Sequence, residues 1–99
     1  MAIYNKFTGN TTDTELIVKN SGTSGNIRKI LIACTHDTVD LIIDRLYLDD
    51  ATNEYDIISN VKIPVGTTLV LEDNLSFSSS EFDLKITTTN SSNCSIIIK

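Results

Sequence analysis

Tryptophan is missing from this sequence, and there is one histidine, one proline and two cysteines. Each scarcity removes a class of function. Without Trp, the usual aromatic platform for sugar binding has no obvious source. With a single His and no nucleophile-elbow sequence, the common hydrolase constellations are not signalled. Cys34 and Cys94 are too far apart for a Cys-x-x-Cys motif and too few for a metal cage. No apolar run approaches the length that spans a bilayer. Met1-Ala2-Ile3-Tyr4-Asn5-Lys6 leads into no signal-peptide core, so synthesis in a cytoplasm, without disulfides, is expected. Basic residues are scattered, with Arg28-Lys29 the one doublet, so there is no nucleic-acid footprint. Ala is scarce, which takes away the best helix former.

What remains is rich in Thr, Ser, Asn, Ile, Leu and Val, a strand-and-turn composition. The chain has 99 residues, a formal net charge of −5 and a mean hydropathy of +0.02. That is one globular domain over 1–99, with a core built from aliphatic side chains. Its acidic surface repels phosphates and suits solubility or a basic protein partner.

Apolar residues recur at every second position in short runs separated by turn residues. Ala2 to Thr8 is the first predicted strand, with Ile3, Asn5 and Phe7 on one face; residues 1–13 form an edge strand or an N-terminal arm. After the turn Gly9 to Asp13, Thr14 to Lys19 has Leu16 and Val18 in phase. Asn20 to Gly25 is a loop. Ile27 to Thr35 is apolar on both phases, because Ile30, Ile32 and Cys34 alternate with Leu31 and Ala33. Such a strand belongs in the middle of a sandwich or at an interface.

Val39 to Leu48 changes phase near Ile42-Ile43-Asp44, which calls for a β-bulge, or else for Ile43 facing a partner. Asp49 to Glu54 is a hairpin turn, and Tyr55, Ile57, Val61 and Ile63 share a phase beyond it. Pro64-Val65-Gly66 breaks the ladder. Leu69 and Leu71 point inward before a turn at Asp73-Asn74. Leu75 and Phe77 form a short strand, Phe82, Leu84 and Ile86 another, and Cys94, Ile96 and Ile98 the last. Eight or nine short strands without a helix predict an all-β, single-domain antiparallel β-sandwich, immunoglobulin-like or jelly-roll.

Residues with chemical potential fit structural roles better. His36 has Asp37 and Asp40 near it in sequence, but in a turn. Asp44, Asp49, Asp50, Glu54 and Asp56 lack the spacing of a calcium loop and read as a solvated turn that discourages edge pairing. Glu72 and Glu81 have no cleft implied around them. The Asn-x-Ser/Thr triads are expected by chance in so Asn/Ser/Thr-rich a chain. Cys34 and Cys94 sit at apolar phases and pack as small hydrophobes; a bond between them requires neighbouring strands with Cα atoms about 4.4–6.8 Å apart. No catalytic, cofactor or metal residue is assigned.

The densest β patterning lies in Arg28-Lys29-Ile30-Leu31-Ile32-Ala33, Val39-Asp40-Leu41, Leu46-Tyr47-Leu48-Asp49-Asp50, Ile63 through Leu71, and Phe82-Asp83-Leu84-Lys85-Ile86. From roughly Thr14 to Lys99 the chain resembles small β-sandwich virion structural proteins of tailed bacteriophages, of the cyanophage and marine-phage type. The resemblance implies no enzyme activity and no cofactor. It implies location in the virion and a capsid decoration role, with a tail, neck or baseplate component as the alternative. Its partners would be the major capsid protein or other virion proteins, with a homo-oligomer, trimer or dimer, and neither nucleic acid nor membrane. A carbohydrate- or calcium-binding module is the competing class. Apolar residues that break the alternation are the candidates for partner binding: Ile42 and Ile43, with Ile3, Tyr4 and Phe7 of the N-terminal segment.

Overall fold

A computed structural model describes residues 2–22 and 24–99, and for Ser24 the backbone alone. Met1, in the proposed N-terminal arm, and Thr23, in the predicted loop, lie outside the described residues. Eight strands run β1 (Ile3–Thr8), β2 (Thr11–Ile17), β3 (Ser24–Cys34), β4 (Leu41–Asp49), β5 (Glu54–Ile63), β6 (Thr68–Ser78), β7 (Asp83–Thr88) and β8 (Asn93–Ile98). They form two four-stranded antiparallel sheets. Sheet A has the order β1-β8-β3-β6 and sheet B the order β2-β7-β4-β5.

This order has a simple origin. β1 pairs with β8, β2 with β7, β3 with β6 and β4 with β5, as in one long hairpin whose tip is the β4–β5 turn. The hairpin then wraps, and two further pairings, β3 with β8 and β4 with β7, close each sheet. That is the jelly roll, one of the two sandwich types the sequence left open.

The core lies between the sheets. β7 and β8 bury every second residue, Leu84 and Ile86 in one, Cys94, Ile96 and Ile98 in the other. Ile30, Ile32 and Cys34 of β3 continue the layer in sheet A, and Leu41, Ile43, Leu46 and Leu48 of β4 face them from sheet B. Both thiols are free and buried. β1 is an edge strand of sheet A. Its Ile3 and Phe7 pack against the core, while the Asn5 amide nitrogen between them is buried without a hydrogen-bond partner.

Bulges set the phases that sequence patterning left unclear. In β4, Ile43 pairs with Thr88 and Arg45 with Thr87, so Asp44 is the extra residue and the buried set moves from Leu41 and Ile43 to Leu46 and Leu48. Ile43 is therefore a core residue at 0% exposure, which corrects its assignment to a partner surface. β2 starts three residues before the predicted Thr14, and a shift between Glu15 and Ile17 buries both Leu16 and Ile17 and leaves Val18 half-exposed. Asp73-Asn74 makes a bulge opposite Arg28, between the Ile27–Leu75 and Lys29–Glu72 pairs, rather than a turn, so β6 is one strand of 11 residues. Tyr55 lies outside the core with its ring edge-on to Phe82. The Pro64–Thr67 corner closes with Thr67 N–H donating to the Pro64 carbonyl, and Gly66 takes the φ of +75° that this turn needs at its third position.

Adjacent residues of β8 test the register. Ile96→Ala opens a cavity in the sealed layer and should cost about 3 kcal/mol, whereas Ile97→Ala, on the opposite face, should cost about 1 kcal/mol or less. Urea unfolding of the two variants checks this; equal losses would contradict the assigned faces.

Candidate docking face

The two outer faces of the sandwich differ in kind. On sheet A, Tyr4 is opposite Ile97, Ile97 opposite Leu31, and Leu31 opposite Val70. Directly opposed residues project to the same side of a sheet, so these four side chains form one apolar row across all four strands. Tyr4 is 70% and Val70 45% exposed, and Leu31 and Ile97 are half-buried. A row of four strands spans about 14 Å between its end strands at ~4.8 Å per strand.

Polar rows border it. Lys6, Ser95, Ala33 and Thr68 lie on one side by the same register. On the other, Lys29 is opposite Glu72, with 3.5 Å between the Lys29 amine and the carboxylate. Lys99 follows β8 beside them, its backbone exchanging hydrogen bonds with Lys29. Three lysines thus face one glutamate around this row, on a chain whose net charge is −5.

Sheet B is sealed by an ionic layer. The Arg45 guanidinium lies 3.7 Å from the centre of the Tyr47 ring and donates to Glu54 at 2.9 Å and to Asp56 at 2.7 and 3.1 Å. These two carboxylates raise the guanidinium pKa further above its ordinary value. Beneath that cover Tyr47 is 1% exposed, and its hydroxyl donates to Asp13. Burial, then the Asp13 contact, pushes the phenol pKa up, while the Tyr47 hydrogen bond holds Asp13 below the ordinary carboxylate range. Lys85 donates to Asp49 at 2.9 Å; that bond, followed by the Ala51 N–H, lowers the Asp49 pKa, and the same contact raises that of Lys85.

The sequence-level candidates fall into separate places. Tyr4 is in the apolar row. Ile3 and Phe7 turn inward against the core instead of toward a partner, Ile42 is half-buried at an outward phase of β4 opposite Lys62, and Ile43 is core. Leu31, Val70 and Ile97 join Tyr4 in the row from outside the candidate set. Their signal was present: Leu31 makes β3 apolar on both phases, Val70 lies out of phase with Leu69 and Leu71, and Ile97 fills the polar phase of β8.

The groups with chemical potential are occupied in holding loops. His36 Nδ1 accepts from the backbone N–H of Thr38 and Val39 at 3.0 and 2.9 Å. Asp40 is committed elsewhere, accepting from Val65 N–H and pairing with Lys62. Asp50 accepts from Thr52 and Asn53 N–H, and Asp49 from Ala51 N–H, so this turn uses its carboxylates to close itself. Asp44 accepts from the Thr89 hydroxyl. Among the described residues no group of three or more His, Cys, Asp or Glu side chains is arranged to hold a metal ion. Where the β6 bulge flares, Ile27, Ile30, Ile57, Leu71 and Leu75 line a notch of about 330 Å³ between the sheets, with Arg28, Lys29, Glu72 and Asp73 at its mouth.

No protein-family model, curated protein or solved structure matches this chain.

The ionic layer makes stability depend on acid. Asp13 and Asp49 have folded-state pKa values below their ordinary one, so the stability they contribute is present above pH ~4 and is lost as pH falls through the folded values. The urea midpoint should hold between about pH 7 and 5 and drop below pH ~4, with a smaller drop in Asp49→Asn. In Tyr47→Phe the Asp13 carboxyl should titrate at higher pH, as followed by NMR; an unchanged Asp13 titration would show that the Tyr47 bond is not what lowers it.

Proposed function

We propose that this protein is a non-enzymatic virion structural protein of a tailed bacteriophage, a capsid decoration protein that docks on the capsid lattice through the outer face of sheet A. The apolar row Tyr4–Ile97–Leu31–Val70 carries the proposal. Its residues stand on strands already fixed by sheet hydrogen bonding, so little backbone order is lost on contact. The resemblance of the strand and corner motifs to phage β-sandwich proteins supplies the setting, and the jelly roll is an architecture used in viral capsid domains.

Charge narrows the partner. Lys6, Lys29 and Lys99 around the row favour a protein surface with an apolar strip bordered by carboxylates. A second copy laid face to face would bring lysines toward lysines, so the proposed occupant is a capsid protein surface. Any homo-oligomer would then use other surfaces. Attraction between such rims weakens as salt screens it.

Copy number and point substitution test the reading together. Purified virions should contain this protein in numbers that follow the capsid lattice; a handful of copies per particle would move it to the tail, neck or baseplate. Leu31→Glu and Val70→Glu should keep the strand circular-dichroism spectrum and lower incorporation about tenfold or more. Full incorporation of both folded variants would overturn the assignment of this face.

A further inference from the structure

The core end of the β3·β8 pairing holds two cysteines in a defined relation. Cys34 of β3 and Cys94 of β8 are directly opposed. One position on, Thr35 N–H donates to the Asn93 carbonyl at 2.9 Å, which marks Thr35 and Asn93 as the hydrogen-bonded pair. Bonded and non-bonded pairs alternate along an antiparallel ladder, so Cys34 and Cys94 are a non-bonded pair, with Cα atoms about 4.5 Å apart and side chains at their closest. A disulfide needs Cα atoms about 4.4–6.8 Å apart. Both side chains are on the inner face, 4% and 2% exposed, and the Cys34 sulfur is 3.4 Å from the buried Ser92 hydroxyl.

We propose that Cys34 and Cys94 are a disulfide site that locks the wrapped hairpin. The pairing of β3 with β8 joins the outer arm of the hairpin, β1·β8, to the inner arm, β3·β6. A bond there makes the wrap covalent. The co-reactant is a small disulfide of the glutathione class. One cysteine thiolate attacks a sulfur of oxidised glutathione and releases one glutathione thiolate. The second cysteine thiolate attacks the protein sulfur of the mixed disulfide and releases the other. Two electrons and the two thiol protons pass to the two glutathiones.

Burial decides when this happens. The Cys94 thiol is pushed up to about 11, mainly by desolvation, so almost none of it is thiolate at neutral pH. The packed core has no room for a glutathione adduct. Oxidation therefore requires an oxidising medium and an open chain, either during folding or with β8 undocked, and is slow in the closed protein; in a reducing cytoplasm the pair stays as thiols. The inner-face lock does not rest on the docking proposal, which concerns the opposite face of the same strands.

The test refolds the reduced, unfolded chain in a buffer of reduced and oxidised glutathione. The product should lose the mass of two hydrogen atoms and leave no thiol for maleimide after denaturation. It should melt on the order of 10 °C higher than the reduced form, reversibly with dithiothreitol. Folded reduced protein in the same buffer should oxidise at least about tenfold more slowly, in keeping with exchange from an opened state. The double variant Cys34→Ser with Cys94→Ser serves as the mass and thiol control. If refolding yields are poor, native protein is incubated with oxidised glutathione just below its urea midpoint and scored identically. Two free thiols at the end, a persistent glutathione adduct, or an oxidised form that melts no higher than the reduced one would each overturn the proposal.

Discussion

Sheet A is held together by the insertion of β8 between β1 and β3. The last strand of the chain is hydrogen-bonded on both edges, in one register to β1 and in another to β3. Its inner phase, Cys94, Ile96 and Ile98, supplies a layer of the core that is 2% exposed or less. Its outer phase brings Tyr4 of β1 and Leu31 of β3 to either side of Ile97. Beyond Ile98, Lys99 still accepts from the backbone N–H of Arg28 and Lys29. Without this strand β1 has no partner, the apolar row is broken at its centre and the core loses one wall. Such pairing joins residues far apart in sequence, so the loop-closure entropy is met before the contact forms.

The contrast between the outer faces has an energetic reason. Covering sheet B with a partner would take the Arg45–Glu54–Asp56 and Lys85–Asp49 pairs out of water. The Arg45 pairs are partly exposed and contribute about 0–1 kcal/mol, the Lys85–Asp49 pair is already largely covered, and burying the rest costs several kcal/mol per ion unless every hydrogen bond is kept. Covering the row on sheet A removes apolar surface from water at a gain of about 25 cal/mol per Å², with charge only at its borders. The two faces therefore differ in sign as docking surfaces. The tight cover over Tyr47 belongs with stability, and the lysine-bordered row is the face we propose for docking.

Sequence periodicity captured strand content and many inner phases, because Leu84 and Ile86 alternate with Asp83, Lys85 and Thr87, and Cys94 and Ile96 with Asn93 and Ser95. It also located the slip around Asp44, where no two-residue frame fits. It failed where one chemistry serves two geometries. Asp73-Asn74 has the composition of a turn, yet it forms a bulge within β6, since antiparallel bulges and turns use similar residues. It failed too where both phases are apolar: alternation separates Ile43 from Ile42 and Ile32 from Leu31, but says nothing about which of each pair looks inward. That is decided by the strand's neighbours, which no local pattern contains. The row Tyr4–Ile97–Leu31–Val70 and the pairing of Cys34 with Cys94 exist only across strand boundaries, so they could not be assigned before the strand order was known.

The register shifts connect these observations. Of the five among the described residues, four lie in sheet B and one in sheet A, and that one is between Ile27 and Lys29, short of the Leu31–Val70 pair. The pairings of β1 with β8 and of β8 with β3 run without interruption. A bulge adds local twist and redirects side chains. Concentrated in sheet B, the bulges re-aim Arg45 and Tyr47 and place Asp13, Asp44 and Asp56 at kinks where their carboxylates find partners. The unbroken ladder leaves the outer face of sheet A regular, so its four apolar side chains stay in one line. A regular face is the form best matched to another ordered protein surface, and here the same uninterrupted ladder also sets the two sulfurs opposite each other on its inner side.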